Sequence, residues 1–392
     1  MDRGRRRALS FVGSAPLLLI PGVGLLIPGV GDAAGSKMPR DQQLYFSAYG
    51  TTDGTYGVAA FGANGGKVLE APLPGRAHGV TVHPDGDEVV AFARRPGTFA
   101  AVFHPWNGAG CTRLSTPPHR HFCGHGAYSM NGEFLFTTEN DFDAGRGVIG
   151  VWRTRPNYRR VREFPSYGIG PHELILSEDG STLIVANGGI LTHPDTGRRK
   201  LNVPTMSPSL AYISSSDGRL VESYTFDEPR RRLLSIRHLA ANADGLVCLA
   251  LQDEGPGGDP VPLVAFHGPG DAGLDLRAAP HPTLRRMKGY TGAAALDPSG
   301  AYLAVSAPRG GLVTIWDVER RELLTSLYLA DGCGVAPAGR PGCFLVSSGA
   351  GGAVRFDAAT GRTAAVESPF LTRLRWDNHL TQAPNRRRDP GT

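Results

Sequence analysis

From about residue 75 onward, short apolar runs return at a steady interval, each preceded by a turn signal. The runs are "EVVAFA", "EFLFTT", "STLIVA", "LVCLAL", "AYLAVS" and "CFLVSS". The turns before them are Asp85-Gly86, Asn131-Gly132, Asp179-Gly180, Asp244-Gly245, Ser299-Gly300 and Pro341-Gly342. Asn-Gly and Asp-Gly between apolar runs are strong hairpin signals. A shorter apolar strand precedes each turn, and a third strand such as "GVIGVW" or "LVTIWD" follows after a loop. No long stretch carries the 3.6-residue period of an amphipathic helix. The pattern predicts an all-β chain made of one repeated antiparallel sheet, which is the blade of a β-propeller of the WD-repeat or YVTN-like kind. The N-terminal "QLYFSAYG" and the C-terminal "FLTRLRWDNHL" are expected to share one blade and close the ring. That makes a seven-bladed propeller over residues 44–383, a single domain.

A second period runs through the histidines. His78, His125, His172 and His238 each stand seven or eight positions before the glycine of their turn. The first two intervals are 47 residues each; the third is 66, lengthened by an insertion near 187–208. His379 lies 141 residues beyond His238, three repeats of 47, and the two skipped slots fall at Thr291-Gly292 and Cys333-Gly334. In a propeller the innermost strand starts at one face, here the top, and the Asp-Gly turn lies at the bottom. The slot residues therefore share the top face with the long loops 137–147, 187–209, 252–260 and 307–311. Long loops on a rigid scaffold are where binding and catalysis concentrate.

Two readings of the histidine slots stay open. Neutral imidazole is the commonest protein metal ligand. A ring of His78, His125, His172, His238 and His379 suits iron, copper, zinc or nickel better than magnesium or calcium. Glu139, Asp141 and Asp143 would offer oxygen ligands, and Cys123 or Cys333 a thiolate. The other reading is structural. WD-repeat propellers place a Gly-His pair in this inter-blade loop, and "CGHGA" and Trp316-Asp317 fit that pattern. The pair does not repeat, however: His78 follows Ala77, His172 follows Pro171 and His238 follows Arg237. His104, His267 and His281 are expected at the surface. His193, in the insertion with Asp195 and Arg198, belongs either to a capped turn or to a lid over the top face.

Composition narrows the alternatives. The chain has 392 residues, a formal charge of +5 and scattered arginines, so it carries no nucleic-acid footprint. It has no Gly-x-Ser-x-Gly, no Gly-rich phosphate fingerprint and no His-Glu-x-x-His. Five cysteines without a Cys-x-x-Cys argue against a zinc ribbon or thioredoxin-type site. Cys333 and Cys343 are the expected disulfide pair. Arg3, Arg5, Arg6 and Arg7, an apolar stretch and the small residues Gly31, Ala33, Ala34 and Gly35 read as an export signal over 1–35. "RRRALS" points to the twin-arginine route and hence to the periplasm. The alternative, a membrane anchor, is disfavoured by four glycines and three prolines in the apolar stretch. A linker at 36–43 and a disordered tail at 384–392 complete the expected organisation. A monomer without membrane contact beyond the signal is expected.

Longer motifs carry a family resemblance: "HRHFCGHGAYS", "NGEFLFTTENDFDAGRGVIGVW", "GIGPHELILSEDGSTLIVANGGILTHPDTGRRKLN", "SIRHLA", "MKGYTGA", "SAPRGG" and "WDNHL". Together they resemble domain of unknown function 1513, an exported bacterial propeller-like family, over about residues 44–383. The resemblance implies an accessory role in iron or other metal handling, because members are often encoded beside imelysin-type iron-uptake proteins. Periplasmic iron-uptake proteins are then the implied partners. The matching positions are His119, His121, His125, Glu139, Asn140, Asp141, His172, Glu173, Asn187, His193, Arg237, His238 and His379. Arg120 and Arg309, within the same motifs, are counted with them as top-face support. Cys123 departs from the family pattern and is discounted as a ligand. The leading expectation is a transition-metal site, iron or copper first and zinc next. A metal-free protein-interaction scaffold and a metal-dependent oxidoreductase or hydrolase are the alternatives.

Overall fold

A computed structural model describes residues 42–384 apart from 96, 107–110 and 198. The expected export signal, most of the linker and nearly all of the tail lie outside the described residues. Seven antiparallel sheets follow one another around a closed ring. The first blade holds Leu44–Gly50, Tyr56–Gly62 and Lys67–Leu73. The second to seventh blades begin with innermost strands Ala77–Val82, Arg120–Tyr128, Pro171–Leu176, Leu234–Ala241, Ala293–Leu296 and Gly332–Pro337, each followed by three more strands in simple up-and-down order.

Closure follows the sequence expectation. Arg375–Trp376 and Thr381–Gln382 both pair with Leu44–Gly50, so the C-terminal segment supplies the innermost strand of the first blade. Joining the two ends in one sheet abolishes the open edges that a linear run of blades would expose. The second strands are apolar on both faces because each blade is sandwiched between two others. Val89–Ala93, for example, is buried at every position. That double burial is why these strands read as continuous apolar runs rather than alternating ones.

Two local expectations are corrected. Cys333 and Cys343 are not bonded to each other, and all five cysteines are free. The first starts the innermost strand of its blade and the second starts the neighbouring antiparallel strand, so they sit at opposite ends of the pair. His267 is buried rather than exposed: its Nδ1 accepts the Tyr212 hydroxyl at 2.7 Å and its ring lies 4.0 Å from that of Tyr224. Short helices also occur, at His281–Met287 and Pro369–Arg373. Each starts with a proline in its first turn. Among the described residues, no helix is long and apolar enough to cross a membrane.

Candidate functional site

The histidine slots coincide with β-bulges. Pairing between innermost and second strands slips between Ala77 and Val80, Phe122 and Gly126, Pro171 and Glu173, and Ile236 and His238. A bulge adds a residue to one strand and re-aims its side chain. In the first blade the interruption is larger, because residues 377–380 leave the ladder between the two short C-terminal strands. Bulged backbone must find other partners. Thr138 Oγ1 donates to the carbonyl of His125 at 3.1 Å, and Ser47 Oγ to that of His379 at 2.6 Å.

The bulges bring five rings together. Centroids of His78, His125, His172, His238 and His379 lie 4.5–5.9 Å from those of their neighbours. Nitrogens of His78, His125 and His172 stand within 4.8 Å of one another, as do those of His125, His238 and His379. Glycine makes the approach possible. A Cβ at Gly124, where φ is +107°, would fall 2.8 Å from His78 Cδ2, and one at Gly79 would fall 2.5 Å from the Gly124 carbonyl oxygen.

Two carboxylates orient the imidazoles. Glu173 accepts from His238 Nδ1 at 3.0 Å and faces His125 Nδ1 at 3.8 Å. Asp377 accepts from His78 Nδ1 at 3.2 Å and from Arg76 Nε at 2.6 Å. With Nδ1–H held by a carboxylate, Nε2 is left as the lone-pair nitrogen. His78 Nε2 lies 3.3 Å from His379 Nε2. Among the described residues, His125 Nε2 and His172 Nδ1 are buried without a hydrogen-bond partner. An orphaned buried polar atom is costly and calls for an explanation.

Burial keeps the cluster unprotonated. It pushes His78 down to about 4 and His125 and His238 to about 3. His172 and His379 fall well below the ordinary histidine value, through burial first and the charge of neighbouring histidines next. Burial raises Glu173. Asp377 is held below the usual carboxylate range: its burial works in the other direction, but His78, Arg94 and Arg76 outweigh it.

The remaining expected residues sort by position. His121, His193, Arg237 and Arg309 line a cavity of about 160 Å³ together with His78, His172 and His238. His121 accepts from Asn140 Nδ2 at 3.2 Å, and Asn140 also donates to the Thr192 carbonyl. His119 is exposed and pairs with Asp143 at 2.6 Å, while His193 caps a short turn and faces the same Asp143. Glu139, Asp141 and Asp143 stand apart from the ring. Glu139 is buried under Arg160 at 2.5 Å, and Asp141 pairs with Arg120 and Arg146. Asn187 braces the insertion through the Ser166 carbonyl. Cys123 lines the cavity, but burial pushes its thiol to about 12, so it stays protonated. Sequence reasoning missed Asp377 as an orienting group, as well as Arg94, Arg95, Lys200, Glu254 and Tyr290 in the cavity. Asp377 was findable, since it sits two positions before His379 in "WDNHL".

The model of a protein family of unknown function (DUF1513) matches residues 71–383. No curated protein matches the chain. Among solved structures, the hydrazine synthase of Kuenenia stuttgartiensis is similar, with a TM-score of 0.59 at 15% identity over 87% of this chain and 99% of that one. A likeness at that identity speaks to the propeller fold.

Proposed function

The chain belongs to the DUF1513 family, and from that premise we propose that it binds a transition metal, iron or copper before zinc, through the histidine cluster at the mouth of its propeller. The observation that carries this is the buried ring of five unprotonated imidazoles in which two nitrogens have no partner. Two nitrogens bound to one tetrahedral ion at 2.0–2.1 Å stand about 3.3–3.4 Å apart. The Nε2 atoms of His78 and His379 are 3.3 Å apart. Carboxylates on the far nitrogens of His78 and His238 are the usual buttress of metal-bound imidazole. An all-nitrogen donor set favours copper, zinc, iron and nickel over magnesium or calcium. His125 belongs to both three-histidine groups, so either one ion or two adjacent ions sharing that region can be accommodated.

The role that fits is metal carriage or storage in the periplasm, beside iron-uptake proteins. Supporting that setting are the basic and apolar N-terminal pattern and the family resemblance. Metal analysis of the protein purified from the periplasm tests the reading. About one ion or more per chain, lost in His125→Ala, is the expected result. Substoichiometric iron, copper and zinc, with no change in melting on metal addition, would overturn it.

A further inference from the structure

The cavity next to the histidine ring is strongly one-signed. Arg94, Arg95, Lys200, Arg237 and Arg309 line it, against the single carboxylate of Glu254. Arg94 already faces Asp377 Oδ1 at 3.5 Å. Glu254 is divided between Lys200, in close contact, and Arg237 NH2 at 3.4 Å. One acid therefore serves two cations, and the second contact is long for a charge-assisted hydrogen bond.

Arg237 is the telling residue. It is 4% exposed, and its Nε–H has no partner among the described residues. A buried guanidinium normally has its N–H donors filled, because leaving one unsatisfied is costly. Its neighbour Arg95 adds repulsion. Arg309 is exposed but held, its guanidinium lying 4.1 Å over the Tyr290 ring. The Tyr290 hydroxyl in turn accepts from Asn378 Nδ2 at 3.1 Å. These groups come from different blades and converge on one small volume.

From this cavity we infer a second binding subsite, for a small multivalent oxygen anion, in which Arg95, Arg237 and Arg309 are the principal donors and Lys200 contributes charge. Planar guanidiniums match carboxylate and phosphate oxygens in pairs. The cavity of about 160 Å³ limits the occupant to a small molecule. Because His78, His172 and His238 line the same space, an anion held there lies beside the imidazole ring. The subsite goes beyond the metal reading and stands on the cavity's own charge.

The test is isothermal titration calorimetry on full-length protein, first stripped of metal and checked by metal analysis. Citrate, inorganic phosphate and acetate are titrated at equal ionic strength. Saturable binding of citrate or phosphate, with acetate at least tenfold weaker, is the expected result. Tighter citrate identifies a polycarboxylate occupant and tighter phosphate a phosphate one. Arg95→Gln and Arg309→Gln, both at positions reached by solvent, should each weaken binding tenfold or more while leaving the melting temperature of the free protein unchanged. Absence of binding by both multivalent anions would overturn the inference, as would binding that survives both substitutions undiminished. Arg237→Lys, which keeps the charge and loses the fork, should fall between. Because the protein is metal-free throughout, failure here is separate from failure of the metal reading, which rests on the metal content of His125→Ala.

Discussion

The histidine-bearing blades and the histidine-free seventh blade use the same backbone device for different ends. In the first five blades the interrupted innermost strand carries a histidine; in the sixth and seventh the equivalent slots hold Thr291 and Cys333. The seventh still bulges there, between Gly332 and Val335. Its Cys333 thiol is turned onto backbone, 3.3 Å from the Asp377 carbonyl and 3.5 Å from that of Trp376. Thr291 is fully buried and donates to the Leu251 carbonyl at 2.8 Å. These side chains are satisfied where they stand. Two of the histidines are not: among the described residues, His125 Nε2 and His172 Nδ1 stay unpartnered in the same type of position. The bulge therefore belongs to the scaffold, and the choice of side chain at it decides whether the slot closes on itself or faces the centre. The histidine-free arc contributes Arg309 to the mouth, beside Arg94, Arg95, Lys200 and Arg237 from the histidine-bearing blades.

The sharpest way to break this contrast is substitution across the two arcs. His125→Ala, and separately His172→Ala, should lower bound metal more than tenfold by mass spectrometry of the purified protein. Thr291→Val and Cys333→Ala should leave it unchanged. Equal loss from both arcs would mean that the ring responds to general damage rather than to missing ligands. Next comes Glu173→Gln, which keeps the shape but weakens the hold on His238 and His125. Removing such a buttress typically costs 10–100-fold in metal affinity, measurable by competition with a chelator of known strength. A role confined to packing would leave affinity unaltered.

Gly124→Ala probes the geometry without removing a ligand. The added methyl meets His78, and the backbone is in a region that L-residues avoid. A stability loss of about 1–3 kcal/mol by denaturant unfolding is expected from strain of this kind, together with weaker metal binding. Retained affinity at full stability would show that the ring has slack.

Acid has a more gradual effect. His78 falls to about 4, and His125 and His238 to about 3, against 6.5 for the unfolded chain. Between those values the unfolded state binds more protons, so stability rises with pH across the window and is lost as pH falls from about 6.5 toward 4. Each such histidine adds a slope of up to about 1.4 kcal/mol per pH unit. Melting curves of metal-free His238→Gln should therefore be flatter between pH 6.5 and 4 than those of the parent protein. An unchanged slope would count against the neutral, buried state of this histidine.

Much of the architecture could be read from the chain alone. Apolar runs at a regular interval, Asp-Gly turns and complementary ends are local or periodic signals, and a propeller is built by repeating one local unit. The same period picked out the five histidines, because an identical slot in each blade returns to one axis. Burial was less legible. His267 is buried by Tyr212 and Tyr224, which come from the neighbouring blade, and no pattern near residue 267 announces them. Cysteine spacing suggested a hairpin bridge, but antiparallel register sets Cys333 and Cys343 at opposite ends of their strands. Glu139 and Asp141 looked like oxygen ligands beside the histidines. Strand pairing instead turns them to Arg160, Arg120 and Arg146 within their own blade.

What the amino-acid order determined by itself is the repeat: seven units, their turns, and which residue occupies each slot. Only the tertiary structure decided what those slots meet. Glu173 reaches His238 across 65 positions and Asp377 reaches His78 across 299. Arg237 and Arg309, which the sequence marks only through their family motifs, face one cavity. The reason is physical. Hydrogen-bonded turns and apolar periodicity act between near neighbours and leave their mark on short windows. Ring closure brings distant inner strands to a common axis, where burial and charge act between residues whose spacing along the chain carries no signal.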